Sequence, residues 1–357
     1  MRAALAGAII IAGLAPAAGA GAQQGPLTVG GITAAPGQAA SGYLVVPAAP
    51  GDTGTRLPVT VIRGNLPGPT LALVAGTHGS EVAPIVALQQ VRALVDPKAL
   101  RGTLLLVHVA NPPSYLSRTI YYSPVDGKNL NRVYPGDPKG TLSERIAWII
   151  TGEIIERADF LVDMHSGDGN ESLRPYTYWN RLGLDRRVDS LAREMALAWG
   201  ADHIIIDTTR TRDRAHSIYT QNTAHIRGKP ALTTETGWLG SPEPAMVERN
   251  VDGAFRLLRF LGMLPGPVQK VEAPVWLLPY EVLTSPASGV WHPAVGRGES
   301  VARGTVIGVL TDFFGAAIAE IRSPLDGIVM YVVATPAMNR GEPVGMVAAR
   351  AAGPPPD

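Results

Sequence analysis

The sequence predicts an α/β fold, a mixed and mostly parallel sheet flanked by helices, followed by a small all-β domain. Three observations carry this. Short, continuously apolar runs alternate with stretches of helical periodicity as far as Leu261, the pattern of βαβ units. Composition then changes at Gly262–Pro267, and short β-rich runs spaced by Gly and Pro take over. Finally, 357 residues with 46% apolar types are enough for two domains at the usual ~100–200 residues each.

The elements follow in chain order. Residues 26–65 read as short strands between Gly and Pro, such as Gly42–Val46 and Leu57–Ile62. Pro69–Gly76 (PTLALVAG) is a continuous apolar run, as in a strand buried on both faces. Val82–Val95 carries apolar residues at helical spacing, so residues 76–81 (GTHGSE) fall in a strand-to-helix loop. Thr103–Val109 is a second buried strand, and residues 111–140 are irregular. Thr141–Arg157 is an amphipathic helix opening on Thr141, Ser143 and Glu144 in cap-like positions. Asp159–Met164, His203–Ile206 and Ala231–Thr234 are strands, and Val188–Trp199 and Glu243–Leu261 are helices. In the β domain, Ser285-Pro286…Gly289-Val290 is echoed by Ser323-Pro324…Gly327-Ile328, a pseudo-repeat of the biotinyl/lipoyl kind. Those carriers need an attachment lysine, and no lysine follows Lys270.

Residues 1–22 have the form of a signal peptide: Arg2, an apolar stretch, then Ala20-Gly21-Ala22. The expected division is a signal peptide at 1–22, an α/β domain at 23–265, a β domain at 266–352 and a tail at 353–357. The matching location is periplasmic or secreted, with an uncleaved N-terminal membrane anchor as the alternative.

Charge and cysteine content narrow the chemistry. A formal charge of +1 argues against nucleic-acid or polybasic membrane partners. With no cysteine, any metal must sit on His and carboxylates, and any nucleophile is Ser, Thr, Lys, a carboxylate or water. His78 and Glu81 lie three apart in the loop after the first buried strand. Alone, H-x-x-E is a weak signal that an ordinary polar loop explains equally well. His165 directly follows another strand, and open parallel sheets bind ligands beyond the carboxyl ends of their strands. The three together form a His₂Glu set of the catalytic-zinc type. His108 and His203 read as structural, His292 as surface or packing, while His216 and His225 stay ambiguous. Glu235 ends a strand too and is the economical general base, with a turn carboxylate as the plain alternative. Arg118, Asn131 and Arg132 lie in a Gly/Pro-rich stretch and suit carboxylate binding or oxyanion stabilisation, although surface arginine explains the pattern as readily. Asp163 shares a strand face with His165 and could orient a ligand, with an ordinary strand Asp as the equal alternative. Arg174, Tyr176, Tyr178 and Trp179 are candidates for lining a pocket, and the arginines at 210, 212 and 214 could attract an anion, although a solvated charged loop is the plainer reading.

The stretches GTHGSE, NPPSYLSR…DGKNLNRVYPG, DFLVDMHSGD and PALTTETG share the order and spacing of one family. The sequence resembles the succinylglutamate desuccinylase/aspartoacylase family, a branch of the zinc carboxypeptidase-like, M14-type hydrolases, over roughly residues 28–348. The resemblance implies one zinc ion per chain on His78, Glu81 and His165, with Glu235 as general base. It also implies Arg118 at the scissile carbonyl and Asn131 with Arg132 on the substrate carboxylate. Ser80 departs from the pattern, where Asn is usual. The implied activity is zinc-dependent release of an acyl group from a small, anionic N-acyl amino acid or related amide. The alternatives are a periplasmic metallocarboxypeptidase or amidase for short peptides, and a non-catalytic solute-binding protein on the same scaffold. The sequence leaves the oligomeric state open.

Overall fold

A computed structural model describes residues 25–354. The expected signal peptide lies outside these residues. The periplasmic or secreted location, and the anchored alternative, thereby lose their one support and are withdrawn. Among the described residues no helix is long and apolar enough to cross a membrane.

A thirteen-stranded mixed sheet dominates the molecule. Its centre is four parallel neighbours in the order Ala231–Glu235, Phe160–His165, Leu66–Ala75, Arg101–Val107. On one side it continues through the antiparallel strands Thr55–Arg63 and Gln38–Val46. On the other, Tyr176–Asn180 pairs antiparallel with Ala231–Glu235.

Alternation along one strand explains the two-faced core. Leu71, Leu73 and Ala75 join a cluster with the helices Val82–Leu94 and Pro244–Phe260. Ala72 and Val74 point the other way, into a cluster with Leu142, Ile146 and Ile150. Both faces are covered, so the strand reads as unbroken apolar sequence. Most elements match the sequence reading within two or three residues. The expected helix Thr141–Arg157 is instead α-helical over Leu142–Ile150 and π-helical over Thr151–Ile155.

The strand order places the site. From Leu66–Ala75 the chain crosses to Arg101–Val107 on one side, while Phe160–His165 lies on the other. Connections leave these strands in opposite directions, which opens a crevice above their carboxyl ends. The C-terminal region is all-β from Val275 onward, as expected. It is also continuous with the large sheet. Val275–Thr284 pairs with His203–Asp207 on one edge and Pro343–Arg350 on the other, and Gly327–Val333 pairs with Glu171–Leu173. A separate four-stranded sheet packs over it around the buried Trp291.

Candidate active site

The crevice gathers the residues singled out at strand ends. His78 and Glu81 follow Leu66–Ala75, His165 ends Phe160–His165, and Glu235 ends Ala231–Glu235 directly beside it in register. One donor atom from each of His78, Glu81 and His165 lies within 4.8 Å of the others, and all three side chains are buried. Glu81 Oε1 is 2.7 Å from His78 Nδ1, and Glu81 Oε2 is 2.8 Å from His165 Nδ1. The second contact lacks hydrogen-bond geometry, which leaves buried Glu81 Oε2 without a hydrogen-bond partner. Lone pairs of two imidazoles and a carboxylate therefore converge on one point. That donor set fits a divalent cation of the zinc class.

The far nitrogens of both imidazoles face an oxygen from behind, and only the His78 contact has hydrogen-bond geometry. His78 Nε2 lies 3.1 Å from Asn129 Oδ1, and His165 Nε2 lies 3.1 Å from Asp163 Oδ1. With Nε2 carrying the proton, each Nδ1 is left free to ligate. Burial opposes a charged His165, but the Asp163 and Glu81 carboxylates outweigh it and raise its pKa well above the usual value. Burial and the nearby carboxylates, Glu81 foremost, push the Glu235 carboxyl well up against the opposing pull of His165.

The structure redistributes the other candidates. Arg132 lines the crevice, its guanidinium 4.7 Å from the centre of the Tyr219 ring. Asn131 lines it too, yet its amide is engaged with protein. Oδ1 accepts from the Thr220 N–H and hydroxyl at 2.9 and 3.1 Å, and Nδ2 lies 3.4 Å from Asp163 Oδ2 and 3.2 Å from His165 Nε2. With His165 Nε2 protonated, the Asn131 amide donates to Asp163 rather than to the imidazole, and it is held by Thr220 rather than reaching for substrate. Arg118 is a correction. It caps the short helix Pro112–Ser117 in a left-handed conformation, is exposed, and lines a different depression with Tyr115 and Leu239. The irregular segment turns over after Arg118, so Tyr121 enters the crevice instead. Tyr121 holds a φ of 58°, its N–H donates to Asp168 and its hydroxyl donates to Glu171 at 2.7 Å. Nothing in the sequence marks Tyr121 over Arg118, because the choice depends on that turn.

The loop arginines separate as well. Arg210 enters the crevice, ion-paired with buried Asp207 and 3.8 Å from the centre of the Tyr219 ring. Arg212 lines a neighbouring depression, and Arg214 is exposed. Tyr176 and Tyr178 line the crevice, whereas Arg174 pairs with Asp202 and Trp179 is buried beneath a helix, donating to Asp189 O. His225 is buried on Asp189 and His216 pairs with Asp213 in solvent, so neither belongs to the site. Glu171, Asn129 and Thr220 are site residues that sequence reasoning missed.

Residues 67–261 match the model of the succinylglutamate desuccinylase/aspartoacylase catalytic domain. The chain belongs to the succinylglutamate desuccinylase/aspartoacylase family. Membership places it among hydrolases of amide-linked acyl groups. It is 30% identical to the N-alpha-acetyl-L-2,4-diaminobutyric acid deacetylase of Halomonas elongata, over 82% of this chain and 85% of that one. Among solved structures it is similar to a succinylglutamate desuccinylase/aspartoacylase from Rhodobacter sphaeroides, with TM-score 0.76 and 26% identity over 88% of this chain and 96% of that one. It is likewise similar to the product-bound ectoine utilization protein EutE (DoeB) of Ruegeria pomeroyi, with TM-score 0.77 and 26% identity over 87% and 95%.

Proposed function

We propose that the protein is a zinc-dependent deacylase of small N-acyl amino acids. One observation carries this reading: three buried donors that converge on one point, beside a strand-end carboxylate, in a single crevice. Family membership supports amide hydrolysis, and the Halomonas elongata relative acts by name on an N-acetylated amino acid.

His78, Glu81 and His165 would hold the ion. When bound, zinc supplies Lewis acidity and a water of lowered pKa. Glu235 takes the proton of the attacking water and returns it to the leaving amine. Its raised pKa, from burial and the neighbouring carboxylates, suits a group that must hold the water proton and return it to the leaving amine. Arg132, whose guanidinium lies on the crevice wall, binds the substrate carboxylate. Arg210 adds a second cation, largely balanced by Asp207. Arg118, turned towards another depression, is given no role at the scissile carbonyl.

The test is metal analysis of the purified chain, followed by a panel of N-acyl amino acids. About one zinc per chain and amide hydrolysis abolished by chelation are expected. Glu235→Gln should keep its metal and lose about 10²–10⁴-fold in kcat. Activity that survives chelation would sink the reading, and near-normal turnover by Glu235→Gln would remove Glu235 as base.

A further inference from the structure

Tyrosine is concentrated at this crevice. Seven of the ten tyrosines in the chain line it, in a protein with only 6% aromatic residues. The gathering is therefore local and not a product of composition. Four of them converge from distant parts of the sequence. Tyr176 and Tyr178 come from the strand Tyr176–Asn180, Tyr280 from Val275–Thr284 and Tyr331 from Gly327–Val333. The Tyr176 and Tyr178 rings meet edge to face at 5.3 Å and 75°, and Tyr178 and Tyr280 at 6.0 Å and 68°. This is the geometry of an aromatic cluster, which a further ring can extend.

Three points decide what such a wall takes. The Tyr176 and Tyr178 hydroxyls lie 3.5 Å apart, and that of Tyr178 is 3.5 Å from Met346 Sδ. These hydroxyls face protein partners, so Tyr178, the partly exposed one of the two, offers a ligand ring carbon more than hydrogen bonds. That disfavours a sugar. A cationic group is disfavoured too, because the Arg210 guanidinium already sits 3.8 and 5.6 Å from the Tyr219 and Tyr178 ring centres. Finally, the cavity measures about 390 Å³, against roughly 30 Å³ for a water molecule. An N-acetylated amino acid with a small side chain leaves much of it empty.

We propose that Tyr178 and Tyr280, backed by the buried Tyr176 and Tyr331, form an aromatic subsite, and that the preferred substrate is an N-acyl amino acid bearing an aromatic ring. The inference rests on the deacylase reading above and names its substrate class. It also gives the C-terminal β region a task, since that region supplies Tyr280 and Tyr331. The ring can arrive on the acyl group or on the amino-acid side chain, and the experiment separates the two.

The zinc-loaded full chain is assayed on N-acetylalanine, N-acetylphenylalanine and N-benzoylalanine. At least one aromatic substrate should exceed N-acetylalanine by about tenfold or more in kcat/KM, the scale on which an apolar pocket discriminates. The arm that gains shows which end carries the ring. In Tyr178→Leu and Tyr280→Leu, each checked for folding by its thermal melt, that ratio should fall towards one. N-acetylalanine cleaved as well as both aromatic substrates overturns the subsite and leaves the deacylase reading standing. No hydrolysis of any amide overturns the deacylase reading. The subsite is then decided by calorimetry on the zinc-free protein, with phenylpropionate and propionate as probes. Tighter binding of phenylpropionate supports it, and equal binding overturns it.

Discussion

Glu81 lies between two imidazole Nδ1 atoms, at 2.7 and 2.8 Å, and the residues behind those rings set how they point. Asp163 is wholly buried, with His165 as its near neighbour, so it acts as an orienting group. Asp163→Asn should weaken zinc binding by about 10–100-fold, the usual cost of losing such a partner. Competition with a chromogenic chelator measures this, and unchanged affinity would dismiss the orienting role. Glu171 makes a different test. Burial pushes its carboxyl up to about 7 against the opposing hydrogen bond from Tyr121. The unfolded chain releases that proton near pH 4.5, while the folded chain retains it to about 7. Stability of the zinc-free protein should therefore fall as pH rises through this window, by on the order of 3 kcal/mol at most. Glu171→Gln keeps an acceptor for Tyr121 and removes the titration. The variant should melt closer to wild type at pH 4.5, and gain on it by pH 8. Parallel pH curves for the two proteins would contradict the assignment.

At the scale of elements, the loops after strands hold the chemistry and the capped helices hold the loops. The helix Arg186–Trp199 starts at Asp185, whose side chain accepts from the Arg187 and Val188 N–H groups, and ends at Gly200 with φ 101°. Asp185→Ala should cost about 1 kcal/mol in chemical denaturation, with little effect on turnover. A loss of activity without a loss of stability would mean that this helix positions the site more directly than its contacts indicate. The helices, the buried strands and the clustering of His78, Glu81 and His165 were legible for one reason: each follows from local periodicity or from spacing at a strand end. The strand Tyr176–Asn180 was not. Its residues YTYWN lack a distinctive period, and it exists because it bridges Ala231–Glu235 and His203–Asp207. Arg118 misled for a related reason. The irregular segment has no period from which facing can be read, and a left-handed residue at Arg118 turns the chain so that Tyr121 points inward.

At the scale of the molecule, the hydrolase and β regions share one sheet. Val275–Thr284 pairs with His203–Asp207, and Gly327–Val333 with Glu171–Leu173 beside the crevice. Ending the chain at residue 265 would bare the edge of His203–Asp207 and remove Tyr280 and Tyr331. The truncated chain should aggregate or fold incompletely, as judged by size-exclusion chromatography. A stable monomer with full activity would show that the two regions are independent. By itself the sequence determined the α/β class, the change to β structure near residue 265, and the His78, Glu81, His165 and Glu235 constellation. These rest on short-range patterns and on the rule that parallel sheets place ligands at strand ends. Only the tertiary structure decided which arginines face the crevice, that Asn131 is held by Thr220 and Asp163, and that tyrosines from distant strands share one wall. Those facts depend on strand order and loop turns, which bring together residues with no periodic relation along the chain.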